Sequence, residues 1–135
     1  MENYLHSNTT KIIIRAFYKV YNELGFGFLE RVYEKALFHE LVKNEVEVVR
    51  QAPIKVRYDG IDLGVYYADL LIENCVIVEI KSAEALCKAH EAQLVNYLKA
   101  SSIEVGILLN FGENAEIKRK VFSDRYKNHN KSIQS

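Results

Sequence analysis

At 135 residues, 49% of them hydrophobic, the chain has the length of one ordinary domain and enough apolar side chains for a single core. Its 18 basic and 18 acidic residues cancel, which excludes a global field able to hold a polyanion, so any nucleic-acid contact must come from a local patch. No apolar run approaches the roughly 20 residues of a membrane span, and Cys75 and Cys87, without a signal-like amino terminus, point to reduced thiols in a cytoplasmic protein rather than a disulfide framework.

In chain order, Ile13, Phe17, Val20, Tyr21 and Leu24 repeat at helical spacing, with caps offered by Ser7 to Thr10 and a stop at Gly25. After Gly25-Phe26-Gly27, the stripe Leu29, Val32, Tyr33, Ala36, Leu37 and Leu41 predicts a second helix to about Asn44. The period then changes to two. Val46 and Val48, then Ile54, Val56 and Tyr58, mark strands, with Pro53 where one could begin and Asp59-Gly60 as a turn signal. Val65 to Ile72 and Cys75 to Ile80 follow, and the nearly continuous apolar run Val76 to Ile80 suits a central strand covered on both faces.

Ser82 is placed to cap a third helix through Ala100; Val105 to Phe111 reads as a buried strand and Ile117 to Phe122 as a charged edge strand. The expected order is α-α-β-β-β-β-α-β-β, one domain over 1–135, with a core from about 10 to 122 and a frayed polar tail from Ser123 to Ser135.

Three charges do not fit an apolar hairpin. Asp69 interrupts one strand, while Glu79 and Lys81 close the next. An ion pair on an exposed face would explain them blandly. Pairing Asp69 with Glu79 sets Leu71 opposite Ile77 and Ile72 opposite Val76, around a three-residue loop from Glu73 to Cys75. That register puts Asp69, Glu79 and Lys81 on one face and Leu70, Val78 and Ile80 on the other. Two convergent carboxylates suit Mg²⁺ or Mn²⁺, and a lysine two residues further on could orient a water or offset phosphate charge.

On the third helix, Leu86, His90, Gln93 and Tyr97 share one stripe, so polar groups occupy a face that should meet the sheet. Taken alone, Gln93 and Tyr97 read first as hydrogen-bonded packing residues, and Glu30 either leans over the sheet or is a solvated first-turn glutamate favoured by the helix dipole. Cys87-x-x-His90 with Cys75 is too sparse for zinc, and Lys118-Arg119-Lys120 has only alternate residues on one strand face.

Taken in order, these residues resemble the PD-(D/E)xK nuclease superfamily, and more narrowly the GxxExxY proteins, whose signature reads here as Gly27-Phe28-Leu29-Glu30-Arg31-Val32-Tyr33. The match extends through Gln51, Tyr58-Asp59-Gly60, Gly64, Ala68-Asp69-Leu70, Val78-Glu79-Ile80-Lys81, His90 to Leu98 and Asn110-Phe111-Gly112. Ala68 stands where the superfamily's proline would precede the aspartate, and the cysteines of an iron-sulfur cluster are absent.

The resemblance implies a restriction-endonuclease-like three-layer α/β/α core with a central mixed sheet flanked by helices. It implies Asp69 and Glu79 as ligands of Mg²⁺ or Mn²⁺, Lys81 as catalytic lysine, and Glu30 as a helix acid assisting the metal. It also implies Gln93-x-x-x-Tyr97, as in the RecB-like and Cas4-like branch, with His90 beside it, as substrate-strand contacts. The expected activity is metal-dependent cleavage of DNA. The alternatives are a catalytically silent nucleic-acid-binding or assembly module, favoured by the zero net charge, and a homodimeric scaffold burying exposed Tyr4, Phe26 and Phe28.

Overall fold

A computed structural model describes residues 5–127. Tyr4 and the tail beyond Lys127 lie outside them. Helix α1 spans Ser7–Leu24 and α2 spans Glu30–Lys43. Helix α1 starts earlier than its apolar period suggested. His6 is its N-cap, and Thr10 sits inside the first turns with its hydroxyl donating to His6 O, so no hydroxyl caps the end. Gly25, at φ 67°, turns the chain out of α1 where a side chain would be strained.

One five-stranded sheet follows in the order β1 (Val48–Tyr58), β2 (Ile61–Ile72), β3 (Val76–Lys81), β4 (Val105–Phe111), β5 (Ala115–Val121). Only β3 and β4 are parallel, joined through α3 (Lys88–Ala100). Three strands precede α3 rather than four, because Val48–Tyr58 is a single strand running through Pro53. As β1 is an edge strand, the missing N–H of proline can face away from the ladder.

Helix α3 begins at Lys88 rather than after Ser82, which places Leu86 before the helix. The stretch 82–87 has acceptable helix formers, but it is bonded elsewhere. Ser82 donates its hydroxyl to Phe28 O, and Asn110 holds both the N–H and the C=O of Ala83. Tertiary hydrogen bonds here override local propensity.

The sheet buries a different core on each face. Against α1 and α2 lie Leu70, Ile72, Val78, Ile80 and Phe111; against α3 lie Ile54, Ala68, Ile77 and Leu108. Ala68 and Leu70 are two apart on β2, where strand alternation would send them the same way, yet they enter opposite cores. The turnover lies between them. Gln51, at φ 52°, stands opposite Asp69, and both drop out of a ladder that pairs Arg50 with Leu70 and Ala52 with Ala68. The irregularity bends the long β1–β2 hairpin so that its outer arm swings toward α3.

Candidate active site

The hairpin register is the one the charges required: Leu70 pairs with Val78, Leu71 with Ile77 and Ile72 with Val76. The ladder stops there and side chains take over. The Asp69 amide donates to Glu79 Oε2 at 2.8 Å, and the Ile80 amide donates to Asp69 Oδ2 at 2.7 Å. Each carboxylate thus spends one oxygen on the other residue's strand, leaving its second oxygen for another ligand. Glu79 is 4% exposed.

Burial, and then the charge of Asp69, pushes the Glu79 carboxyl up to about 8. Burial also raises Asp69, opposed by the hydrogen bond from Ile80 and reinforced by the charges of Glu34 and Glu30. Two acids that both resist ionisation are stabilised by a shared proton or a cation.

Lys81 donates to Gln93 Oε1 at 2.9 Å, and its charge favours ionisation of both Asp69 and Glu79. Strand β3 therefore carries both an acidic and a cationic side chain, and α3 holds the cationic one. Tyr97, 7% exposed, lies near enough for the charges of Glu79 and Asp69, after burial, to raise its phenol. Its ring meets Tyr66 at a centroid distance of 5.9 Å.

Glu30 opens α2 and accepts the Ser82 amide at 3.3 Å. Its side chain is exposed, and it reaches Asp69 and Glu79 through its field. His90 is not drawn into this cluster by any hydrogen bond: its Nδ1 accepts the Cys87 amide at 3.2 Å and closes the first turn of α3. Cys75 instead lies beside Thr9 on α1, so the sparse Cys/His set does not converge.

Two features were not legible as site elements. Glu34, one turn beyond Glu30, is buried, taking Arg50 Nε at 3.1 Å and Gln51 Nε2 at 2.8 Å. Its i, i+4 spacing from Glu30 and the Tyr33 core position beside it were the available signal. Asn110, fully buried next to Lys81 in the β3–β4 register, clamps Ala83 and donates to Glu116 Oε1. A Cβ on Gly112 would stand 2.5 Å from Ala83 O, so glycine is needed for that close approach.

The donor set suits a hard divalent cation: Asp69 and Glu79 offer carboxylate oxygens side by side, with acidic field from Glu30 and Glu34. Among the described residues, no three His, Cys, Asp or Glu side chains form a ready-made cage, so waters or substrate oxygens would complete the coordination. No helix among the described residues is long and apolar enough to cross a membrane.

The family model of the PD-(D/E)XK nuclease superfamily matches residues 7–120. Among solved structures, the chain is similar to the crystal structure of SSO0001, at 20% identity and a TM-score of 0.52 over 77% of this chain. It spans 53% of that protein's length. No curated protein matches significantly. The mixed sheet with helices on both faces is the three-layer, restriction-endonuclease-like arrangement that the sequence led us to expect.

Proposed function

The chain belongs to the PD-(D/E)XK nuclease superfamily, and from that premise we propose that it hydrolyses phosphodiester bonds in DNA with Mg²⁺ or Mn²⁺, as a member of the GxxExxY group within the RecB-like and Cas4-like branch. The observation that carries this reading is the reciprocal bonding of Asp69 and Glu79 beside a lysine oriented by Gln93.

Asp69 and Glu79 would hold the cation, which lowers the pKa of a bound water and offsets charge on the phosphorus-centred transition state. Lys81, kept in place by Gln93, directs its ammonium to the attacking water or to a phosphate oxygen. The water oxygen bonds to phosphorus and gives up a proton to solvent as the bond to the leaving sugar oxygen breaks, and that oxygen takes a proton from solvent. Glu30, tethered to the Ser82 amide, acts as the helix acid that orients further waters. Gln93 and Tyr97 contact the substrate strand, with His90 at its margin.

The test is cleavage of plasmid and oligonucleotide DNA with each metal, run in parallel on wild type and Lys81→Ala. Activity undiminished by the substitution refutes the assignment.

A second reading is favoured by the same bonding. Because Asp69 and Glu79 also stitch β2 to β3, they have a structural reason to be there in a silent nucleic-acid-binding or assembly module. Exposed Phe26 and Phe28 would serve its assembly, including a homodimer. Calorimetric titration with Mn²⁺ separates the two, since a module needs no binding that depends on Asp69 and Glu79.

A further inference from the structure

Among the described residues, His6, Glu45, Asp59, Glu73 and Asn74 have positive φ, and all of them lie at turns. Gln51, at φ 52°, is the one other non-glycine residue with such a backbone, and it lies inside a strand. Glycine, asparagine and aspartate adopt this conformation most readily, whereas a glutamine is held in it by its surroundings. A residue so held beside a candidate site raises a question of function.

What holds Gln51 is α2. Its Nε2 donates to Oε1 of buried Glu34 at 2.8 Å, and the other Glu34 oxygen takes Arg50 Nε at 3.1 Å. The Arg50 guanidinium lies over the Phe38 ring, 5.6 Å from its centroid. Two successive residues of β1 are thus fastened to the helix that Glu30 opens.

Asp69 stands across from this fastening. The ladder pairs its neighbours Ala68 and Leu70 with β1 and leaves Asp69 out, while its amide and carboxylate bond to β3. Because Ala68 and Leu70 enter opposite cores, Asp69 sits on the pivot of the hairpin. A small rotation there would swing its carboxylate away from Glu79, so whatever fixes the pivot also aims the carboxylate.

We infer that Gln51 is a positioning residue: through its bond to Glu34 it fixes the hairpin pivot, so that Asp69 and Glu79 present their remaining oxygens to one divalent cation. This rests on the nuclease reading of that cluster. Groups that orient metal-binding side chains without touching the ion govern affinity for it.

The experiment is Mn²⁺ binding in the absence of DNA, read by electron paramagnetic resonance of the free ion well below the melting transition of each variant. Gln51→Ala and Gln51→Gly both remove the amide, and only glycine also relieves the backbone. Both should bind Mn²⁺ about tenfold more weakly than wild type, although Gln51→Gly should melt above Gln51→Ala. In a Glu34→Ala background, Gln51→Ala should change the affinity by less than about twofold, since the anchor is already gone. A merely structural Gln51 would lower the melting temperature and leave the affinity of the folded chain alone.

Wild-type affinity in Gln51→Gly overturns the proposal, as does a loss of about tenfold that persists in the Glu34→Ala background. Absence of Mn²⁺ binding in the wild type overturns it together with the nuclease reading. Mn²⁺ binding that depends on Gln51, without DNA cleavage, leaves the positioning role standing and refutes the nuclease. Cleavage of DNA by a wild type whose Mn²⁺ affinity is indifferent to Gln51 does the reverse.

Discussion

Asp69 and Glu79 each bind the other's strand, the Asp69 amide to Glu79 Oε2 and the Ile80 amide to Asp69 Oδ2, at the point where the β2–β3 ladder gives out. Carboxylates here replace the last backbone hydrogen bonds of the hairpin. Site and fold are therefore coupled at one junction.

Removing the Lys81 ammonium should reduce DNA cleavage by at least about 100-fold, the scale for losing one group aimed at transition-state charge. Gln93→Ala should cost about tenfold or more, because Lys81 keeps its charge but loses its orientation, and the substrate strand loses a contact. Initial rates on one substrate, with circular dichroism to confirm the fold, check both. A Gln93→Ala enzyme as active as wild type would show that Gln93 neither orients the lysine nor holds the strand.

The metal-free protein should lose stability as pH rises from about 4.5 to about 8. Glu79 titrates near 8 in the folded chain against an ordinary 4.5, so in that window the folded chain holds a proton that the unfolded chain has released. The slope is at most about 1.4 kcal/mol per pH unit, and it ends above the folded value. Asp69 shifts in the same direction. Thermal melts of wild type and Glu79→Gln across pH 5 to 8 provide the comparison. Added Mn²⁺, which competes with the proton, should raise the melting temperature more at high pH. A wild-type minus Glu79→Gln difference that grows more favourable with pH would contradict the assignment.

Asn110→Ala should destabilise by roughly 2–4 kcal/mol, since it strips partners from the Ala83 backbone and from Glu116. Gly112→Ala should loosen the same segment by driving a Cβ into Ala83 O. Both variants should expose the chain from Ser82 to Cys87 to proteases. Resistance equal to wild type would mean that Asn110 does not hold that loop.

Glu34→Ala should leave Arg50 and Gln51 without their shared carboxylate and cost about 1–3 kcal/mol. It should also lower the Asp69 pKa by removing a like charge. Denaturant unfolding reads the first effect, and carboxyl NMR titration reads the second. An unmoved Asp69 would place Glu34 outside the electrostatic cluster.

Local patterns determined a large part of this protein. Setting the Asp69 and Glu79 charges opposite one another led to the hairpin register that the structure has, and apolar periods located both leading helices and the central strand Val76–Lys81. A one-residue slip would have exposed an entire hydrophobic face, which is why register was readable. Tertiary structure decided what depends on distant partners. Asn110 kept 82–87 out of a helix that its composition allowed. Continuous pairing with β2 merged two expected strands into one, and at the left-handed Gln51 the hairpin turns so that Ala68 and Leu70 enter opposite cores. Buried Glu34 found its partners, Arg50 and Gln51, on a strand 16 and 17 residues further along the chain. Periodicity records which way a side chain leaves its own backbone, whereas the bond that redirects a segment is made by residues far along the chain.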